Sequence, residues 1–256
     1  MKVYTVSDLH LDYPANREWL HELDRSAYVN DVLILAGDIS DSLTLIDECF
    51  CQLMQRFAAV FYVPGNHDLW VNRRQSQINT SIEKFDAICS LAAFYGVQMQ
   101  PCQYDGVSII PLLSWYDGSF GNISPALREI WMDYYACIWP ERFDEKHITE
   151  YFLALNPSLE DVRHQNATIT ISFSHFVPRL DVMPDYIPIK HRQVYPVLGS
   201  VLLDKQLREL GADIHIYGHS HVNRAVSING VKYLNNSLGY PNESQFTRRQ
   251  LLCVYP

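Results

Sequence analysis

Residues 31–41 read DVLILAGDISD: an apolar run of strand length, Asp31 to Ala36, stops at Gly37 and hands over at once to the carboxylate of Asp38. Valine, leucine and isoleucine in such a run suit a pleated, half-buried or buried strand. Gly37, with no Cβ, permits a tight turn, so the next side chain stands at the strand's end. The same arrangement recurs four times. Lys2 to Ser7 leads into Asp8-Leu9-His10, and Ala59 to Val63 into Gly65-Asn66-His67-Asp68. Ala167 to Phe173 leads into Ser174-His175, and Asp213 to Tyr217 into Gly218-His219-Ser220-His221. Strand ends in an open α/β sheet converge on one rim, so these oxygen and imidazole groups, distant in sequence, are expected in one place.

Amphipathic helices are predicted at Asn16 to Arg25, Ser42 to Arg56, Ser76 to Tyr95 and Ser200 to Leu210. Strand and helix therefore alternate in the β-α-β manner of a sheet with parallel strands. A further strand is expected at Val107 to Leu113. Val222 to Ile228, Val231 to Asn235 and Leu251 to Tyr255 read as a run of antiparallel strands, the first two joined by the Asn229-Gly230 hairpin signal. Between the halves, Ser114 to Phe143 breaks the alternation and gathers Trp115, Tyr116, Phe120, Trp131, Tyr134, Tyr135, Trp139 and Phe143. No low-complexity linker, repeat or charge block divides the chain, so a single domain over residues 1–256 is expected, with 114–143 as an elaboration.

The 256 residues, 48% apolar, suffice for a substantial core. Twenty-nine acidic against 20 basic residues give a formal charge of -9, which disfavours broad nucleic-acid binding. Metal ions at contact distance still attract phosphate on such a protein. There is no basic leader, cleavable apolar segment or membrane-length apolar run. The six cysteines form no CxxC pair, which fits reduced thiols. A cytoplasmic protein without membrane attachment is expected.

A D-x-H triplet alone would be only a turn after a strand, and GNH or GHxH alone would be moderately informative. All five patterns in order, each after a strand-like run, resemble the calcineurin-like metallophosphoesterase superfamily: D-x-H, GD-x-x-[DN], GNH-[DE], an isolated His, and GH-x-H. The resemblance runs from Asp8 to His221 and fills every motif position. It implies an α/β fold, a four-layer αββα sandwich of two mixed sheets flanked by helices, with a dinuclear metal site at one rim. It further implies Asp8, His10, Asp38 and His221 around one ion, and Asp38, Asn66, His175 and His219 around the other, with Asp38 bridging. Carboxylate, amide and imidazole donors without thiolate suit divalent or trivalent Mn, Fe or Zn. In such a site a hydroxide bridging the metals attacks phosphorus in line, since water on the metal is acidified toward a pKa of roughly 7. His67 takes the family position that faces substrate and protonates the leaving oxygen, and Asp41 the position that orients this histidine and raises its pKa.

In the protein Ser/Thr phosphatases of the superfamily an arginine follows the second aspartate of the GD motif; here Asp41 is followed by Ser42-Leu43. The resemblance is therefore closer to cyclic-nucleotide phosphodiesterases and bacterial phosphohydrolases, and implies a small-molecule phosphodiester or phosphomonoester substrate. Two alternatives are a nuclease, which the lack of a basic stripe disfavours, and a non-catalytic binding scaffold, which the full histidine set disfavours. His21, His147, His164, His191 and His215 fall in no motif and are assigned no chemistry. Aromatics most often fill a core; if the 114–143 segment is functional instead, Trp115, Tyr116 or Trp139 lines the substrate entrance, with Arg128 or Arg179 as phosphate clamp. Oligomeric state has no signature in the sequence.

Overall fold

The computed structural model describes residues 1–71, 78–158, 162 and 167–256. Ten strands form two sheets. The first contains β1 (Val3–Val6), β2 (Val32–Leu35), β3 (Ala59–Tyr62) and β10 (Leu252–Tyr255) in the order β10-β1-β2-β3. The second contains β4 (Cys102–Tyr104), β5 (Val107–Pro111), β6 (Ile169–Phe173), β7 (Ile214–Tyr217), β8 (Arg224–Ile228) and β9 (Val231–Asn235) in the order β4-β5-β6-β7-β9-β8. Both are mixed: β1, β2 and β3 run parallel, as do β5, β6, β7 and β9, and antiparallel strands close the edges at β10, β4 and β8.

The apolar runs of β2, β3, β5 and β7 are continuous because these strands are covered on both faces. In β2, Val32 and Ile34 face the gap between the sheets, where they pack with Phe61, Ile109, Ile171, Phe173 and Ile216. Leu33 and Leu35 point the other way, into a cluster with Ile46, Phe50, Leu53 and Ile88. Those residues come from α2 (Leu43–Met54) and α3 (Ser81–Tyr95). On the far face of the second sheet, Ile110, Tyr217 and Tyr233 pack with Leu203 and Leu207 of a helix at Val201–Glu209. The result is the four-layer αββα sandwich. The other helices bounded within the described residues are α1 (Pro14–Glu22), α4 (Pro125–Ile130), α5 (Asp133–Ala136) and α6 (Glu145–Ala154), and the helix at Val201–Glu209 is α7. Short 3-10 turns occupy His67–Leu69, Leu180–Val182 and Ile189–Val197. No helix among the described residues is long and apolar enough to cross a membrane.

Two expectations change. The last strand does not extend the β8–β9 hairpin; β10 crosses to the first sheet and pairs antiparallel with β1, while β9 lies parallel to β7. Strand order is set by long-range pairing that a hairpin signal does not encode. The predicted helix at Ser76 to Tyr95 is found as Ser81–Tyr95, capped by the Thr80 hydroxyl accepting from the Glu83 amide; residues 76 and 77 lie outside the described residues. Beyond β1 and β9 the two sheets are stitched together, the Ser7 amide bonding the Asn236 carbonyl and the Leu238 amide the Ser7 carbonyl.

Candidate metal centre

The loops after β1, β2, β3, β6 and β7 meet at this stitched rim. Asp38 is the point of convergence: its Oδ2 lies 3.4 Å from His175 Nε2, 3.9 Å from His10 Nε2 and 4.0 Å from His67 Nε2. His10 Nε2 and His221 Nε2 are 3.1 Å apart, and His175 Nε2 is 3.1 Å from Asn66 Oδ1 and 3.2 Å from His219 Nδ1. Asp8 Oδ1 is 3.2 Å from His221 Nε2. Three overlapping groups, Asp8/His10/His221, His10/Asp38/His67 and Asp38/His175/His219, each hold their donor atoms within 4.8 Å of one another. The seven residues expected as ligands are thus brought together, and His67 stands beside them.

The backbone makes room for this crowding. A Cβ on Gly65 would lie 2.1 Å from Asp38 Oδ1, and one on Gly37 2.5 Å from His175 Nδ1, so neither position tolerates a side chain. Asp8, His10, Asp38, His219 and His221 themselves have φ of 53°, 42°, 57°, 62° and 50°. Residues other than glycine occupy this left-handed region uncommonly, aspartate and histidine more readily than most, and such outliers gather where function needs them. Asp68 holds the loops in that shape. It is fully buried and accepts from the amides of Asp38, Ile39, Ser40 and Gly65 and from the Tyr62 hydroxyl, at 2.8–3.0 Å.

The donor set fits cations, and the outward-facing atoms say so. His175 donates from Nδ1 to the Ala36 carbonyl at 3.0 Å, and His219 from Nε2 to the Val197 carbonyl at 3.1 Å. His221 turns Nδ1 to Glu243 Oε2 at 2.6 Å. Carbonyls and carboxylates only accept, so the outer nitrogen of each ring carries the proton. The inner nitrogen of His175 and His219 is left with its lone pair, the form in which imidazole ligates. Burial first, then neighbouring histidines for His10 and His219, holds His10, His175 and His219 below the usual histidine range. For His221 burial is outweighed by Asp8 and Glu243, which push it up to about 10. Burial raises Asp38, with Asp68 and Asp8 adding to it. A cluster whose carboxylates repel one another and in which His10, His175 and His219 stay neutral is what cations would settle.

His67 is partly exposed, 17% at the side chain. Its ring stacks on Trp70 at 3.7 Å between centroids, and the Tyr240 hydroxyl lies 3.4 Å from its Nε2. Asp41 is not on it. Its carboxyl pairs with Asp12, and its carbonyl accepts from Lys84 Nζ, so the expected orienting contact is replaced by stacking on Trp70. Nor is the His67 pKa raised: burial, followed by His175 and His221, drives it down to about 3.

The aromatic segment follows the packing reading and not the functional one. Trp115 and Tyr116 are about 1% exposed and pack with Phe176, and Trp139 packs edge-on against Trp115 and Phe152, so these three fill the core. The rings at the site are Trp70, Tyr240, which lies 4.5 Å from His10 and 4.9 Å from His221, and Trp131, 5.8 Å from His219. Arg128 is ion-paired with Glu145, and Arg179 with Asp181 and Asp204, so both arginines are committed away from the metal cluster. His215 sits between the Ser172 and Ser174 hydroxyls inside the second sheet, a satisfied core histidine; His164 lies outside the described residues.

Three residues without a motif complete the site. Glu243 orients His221. Asp133, 3% exposed, accepts from Asn66 Nδ2 at 2.9 Å, which turns the Asn66 Oδ1 toward His175, and also from Trp70 Nε1 at 2.7 Å and Trp131 Nε1 at 2.8 Å. Ser237, with Ser7, donates to Asp8 Oδ2.

Residues 1–223 match the family model described as calcineurin-like phosphoesterase. The [acyl-carrier-protein] phosphodiesterase PptH of Mycobacterium tuberculosis is 25% identical over 260 residues, covering 94% of this chain and 78% of that protein. The crystal structure of phosphopantetheinyl hydrolase PptH from the same organism superposes with a TM-score of 0.82 at 25% identity, over 100% of this chain and 96% of that one.

Proposed function

This chain belongs to the calcineurin-like phosphoesterases and is a metal-dependent hydrolase of phosphate esters; from that premise we propose that its substrate is a phosphodiester joining an extended arm to a larger, carrier-protein-like body. The observation that carries the diester reading is the fate of Arg128 and Arg179. With both paired to carboxylates, and with no cation among the described residues contacting the seven clustered side chains, the site offers little to a monoester's second negative charge. A diester carries only one. The likeness to PptH, a phosphodiesterase acting on a protein-borne phosphopantetheine by its names, supports the same choice over the small-molecule substrate expected from sequence.

In this proposal Asp8, His10, Asp38 and His221 hold one ion and Asp38, Asn66, His175 and His219 the other, of Mn, Fe or Zn type. When bound, the pair supplies Lewis acidity that offsets charge on the phosphoryl oxygens and acidifies water. The chain's own groups do the rest. Water adds to phosphorus, one ester P–O bond breaks, and the leaving oxygen takes a proton from His67 Nε2, whose pKa, held low by burial, the anionic phosphoryl group against the ring raises. Trp70 fixes the plane of that ring, and the Tyr240 hydroxyl beside Nε2 donates to a phosphoryl oxygen. Asp133 keeps the Asn66 carbonyl oxygen aimed inward.

The test is release of p-nitrophenol from mono- and bis-p-nitrophenyl phosphate by metal-loaded protein, before and after chelation. Chelation should abolish turnover and manganese should restore it, with the diester cleaved faster; a faster monoester, or activity indifferent to chelator, overturns the proposal.

A further inference from the structure

A cleft of about 500 Å³ opens directly from the metal cluster, its inner end formed by Ser220, His221 and Glu243. That size falls in the range of about 300–1,000 Å³ typical of small-ligand sites. Met183, Ile187, Val194 and Leu198 face it from one side, and Val222 and Phe246 from the other. Its walls are fixed in advance. Arg192 bonds the carbonyls of Ile187 and Asp185, Arg224 bonds the Val182 carbonyl, and the Val197 carbonyl accepts from His219 itself, which ties the wall to a clustered histidine.

No lysine or arginine is among the described residues that line it, and a carboxylate, Glu243, stands at the inner end. A ligand carrying further phosphates would enter without a counter-charge and meet that carboxylate. The apolar lining extends outward to Tyr186, 71% exposed, so the cleft is open at its far end. Resting on the phosphodiesterase reading above, we infer that this cleft is the subsite for the substrate's arm, and that the arm is elongated and uncharged, of pantetheine type, with its phosphate past His221 at the donor cluster and outside the cleft itself. The cleft, not the metal cluster, then sets substrate preference.

Two diesters that release the same p-nitrophenol test it, p-nitrophenyl methyl phosphate and p-nitrophenyl pantetheinyl phosphate, alongside calorimetric titration of pantetheine, the arm without phosphate. The wild-type protein should bind pantetheine and favour the long ester in kcat/KM by about tenfold or more, since even one methylene in an apolar pocket is worth about tenfold or more. Ile187→Trp, at the half-buried rim, should fill the cleft and bring the ratio of the two esters toward one. Phe246→Ala, on the opposite, exposed wall, should lower the same ratio should the first variant fail to fold. Equal rates for both esters with no pantetheine binding would overturn the arm subsite while leaving the hydrolase standing. Pantetheine binding that Ile187→Trp abolishes, with neither ester cleaved, would uphold the subsite and sink the activity instead.

Discussion

Asp133→Asn is the most informative single change, because one carboxylate reaches both halves of the chemistry. Its Oδ1 accepts from Asn66 and from Trp70, the ring on which His67 stacks, and its Oδ2 accepts from Trp131. In the amide variant one oxygen can still serve Asn66 and Trp70, but an NH2 now faces the Trp131 N–H. Losing that charge-assisted bond and leaving facing donors buried costs about 1.5–3 kcal/mol. For a chain of this length the melting temperature should fall by roughly 3–12 °C, toward the lower figure because burial already pushes the Asp133 carboxyl up and an amide is spared that strain. The functional part is separate. In the opposite orientation of the new amide its oxygen serves Trp131 and its NH2 faces Asn66, which then loses its acceptor, and loss of such a ligand-orienting partner typically lowers metal affinity about 10–100-fold. The assays are calorimetric melting, metal per chain after dialysis against graded chelator, and diester turnover. Trp131→Phe is the control, since it removes one donor without touching Asn66 and should lower stability alone. If Asp133→Asn melts earlier yet retains metal and turns over like wild type, Asp133 merely fastens the aromatic segment and the argument is wrong.

Asp38→Asn should lower occupancy at both metal sites, read as metal content falling toward zero instead of from two to one per chain; retention of two ions would refute the bridge. His67→Ala should keep wild-type metal content, since the bond to Asp38 comes from the His67 backbone amide, while kcat drops about 10²–10⁴-fold with alkyl leaving groups and less with p-nitrophenol; equal losses for both leaving groups would remove His67 as proton donor. Tyr240→Phe keeps the ring on His10 and His221 and deletes only the hydroxyl, so turnover should fall a few-fold to about tenfold with metal content unchanged; an unaltered kcat would make Tyr240 a packing residue.

The convergence of the candidate ligands was legible because chemistry and fold share the same short words: an apolar run, a glycine, then a donor. Gly37 and Gly65 show why, since each sits where a Cβ would strike Asp38 or His175, so motif and close approach are the same constraint. Partners supplied from afar were not legible. Asp133 and Glu243 are lone acidic residues with no surrounding pattern, and only the fold places them against Asn66 and His221. In the aromatic run, density of rings reported burial, as Trp115 and Tyr116 show; of the rings named at the site Trp131 comes from that segment, while Trp70 and Tyr240 lie outside it. Trp70 lies three residues after His67, but no motif position names it.

Asp68 shows how the site keeps its shape. Five clustered side chains sit on left-handed backbone, each a departure worth about 1–3 kcal/mol that persists only where its surroundings over-determine it. Around Asp38 the surroundings are identifiable: three successive amides, from Asp38 to Ser40, converge with Gly65 and Tyr62 on the two oxygens of Asp68. The fourth residue of the GNHD motif therefore makes no metal contact and instead locks the loop after β2 to the loop after β3. That lock sets the position of Asp38 relative to Asn66 and His67, the residues proposed above as bridge, second-ion ligand and proton donor. Strain in one loop is thus carried by hydrogen bonds from another, and the metal geometry is a property of the pair of loops, not of either motif alone.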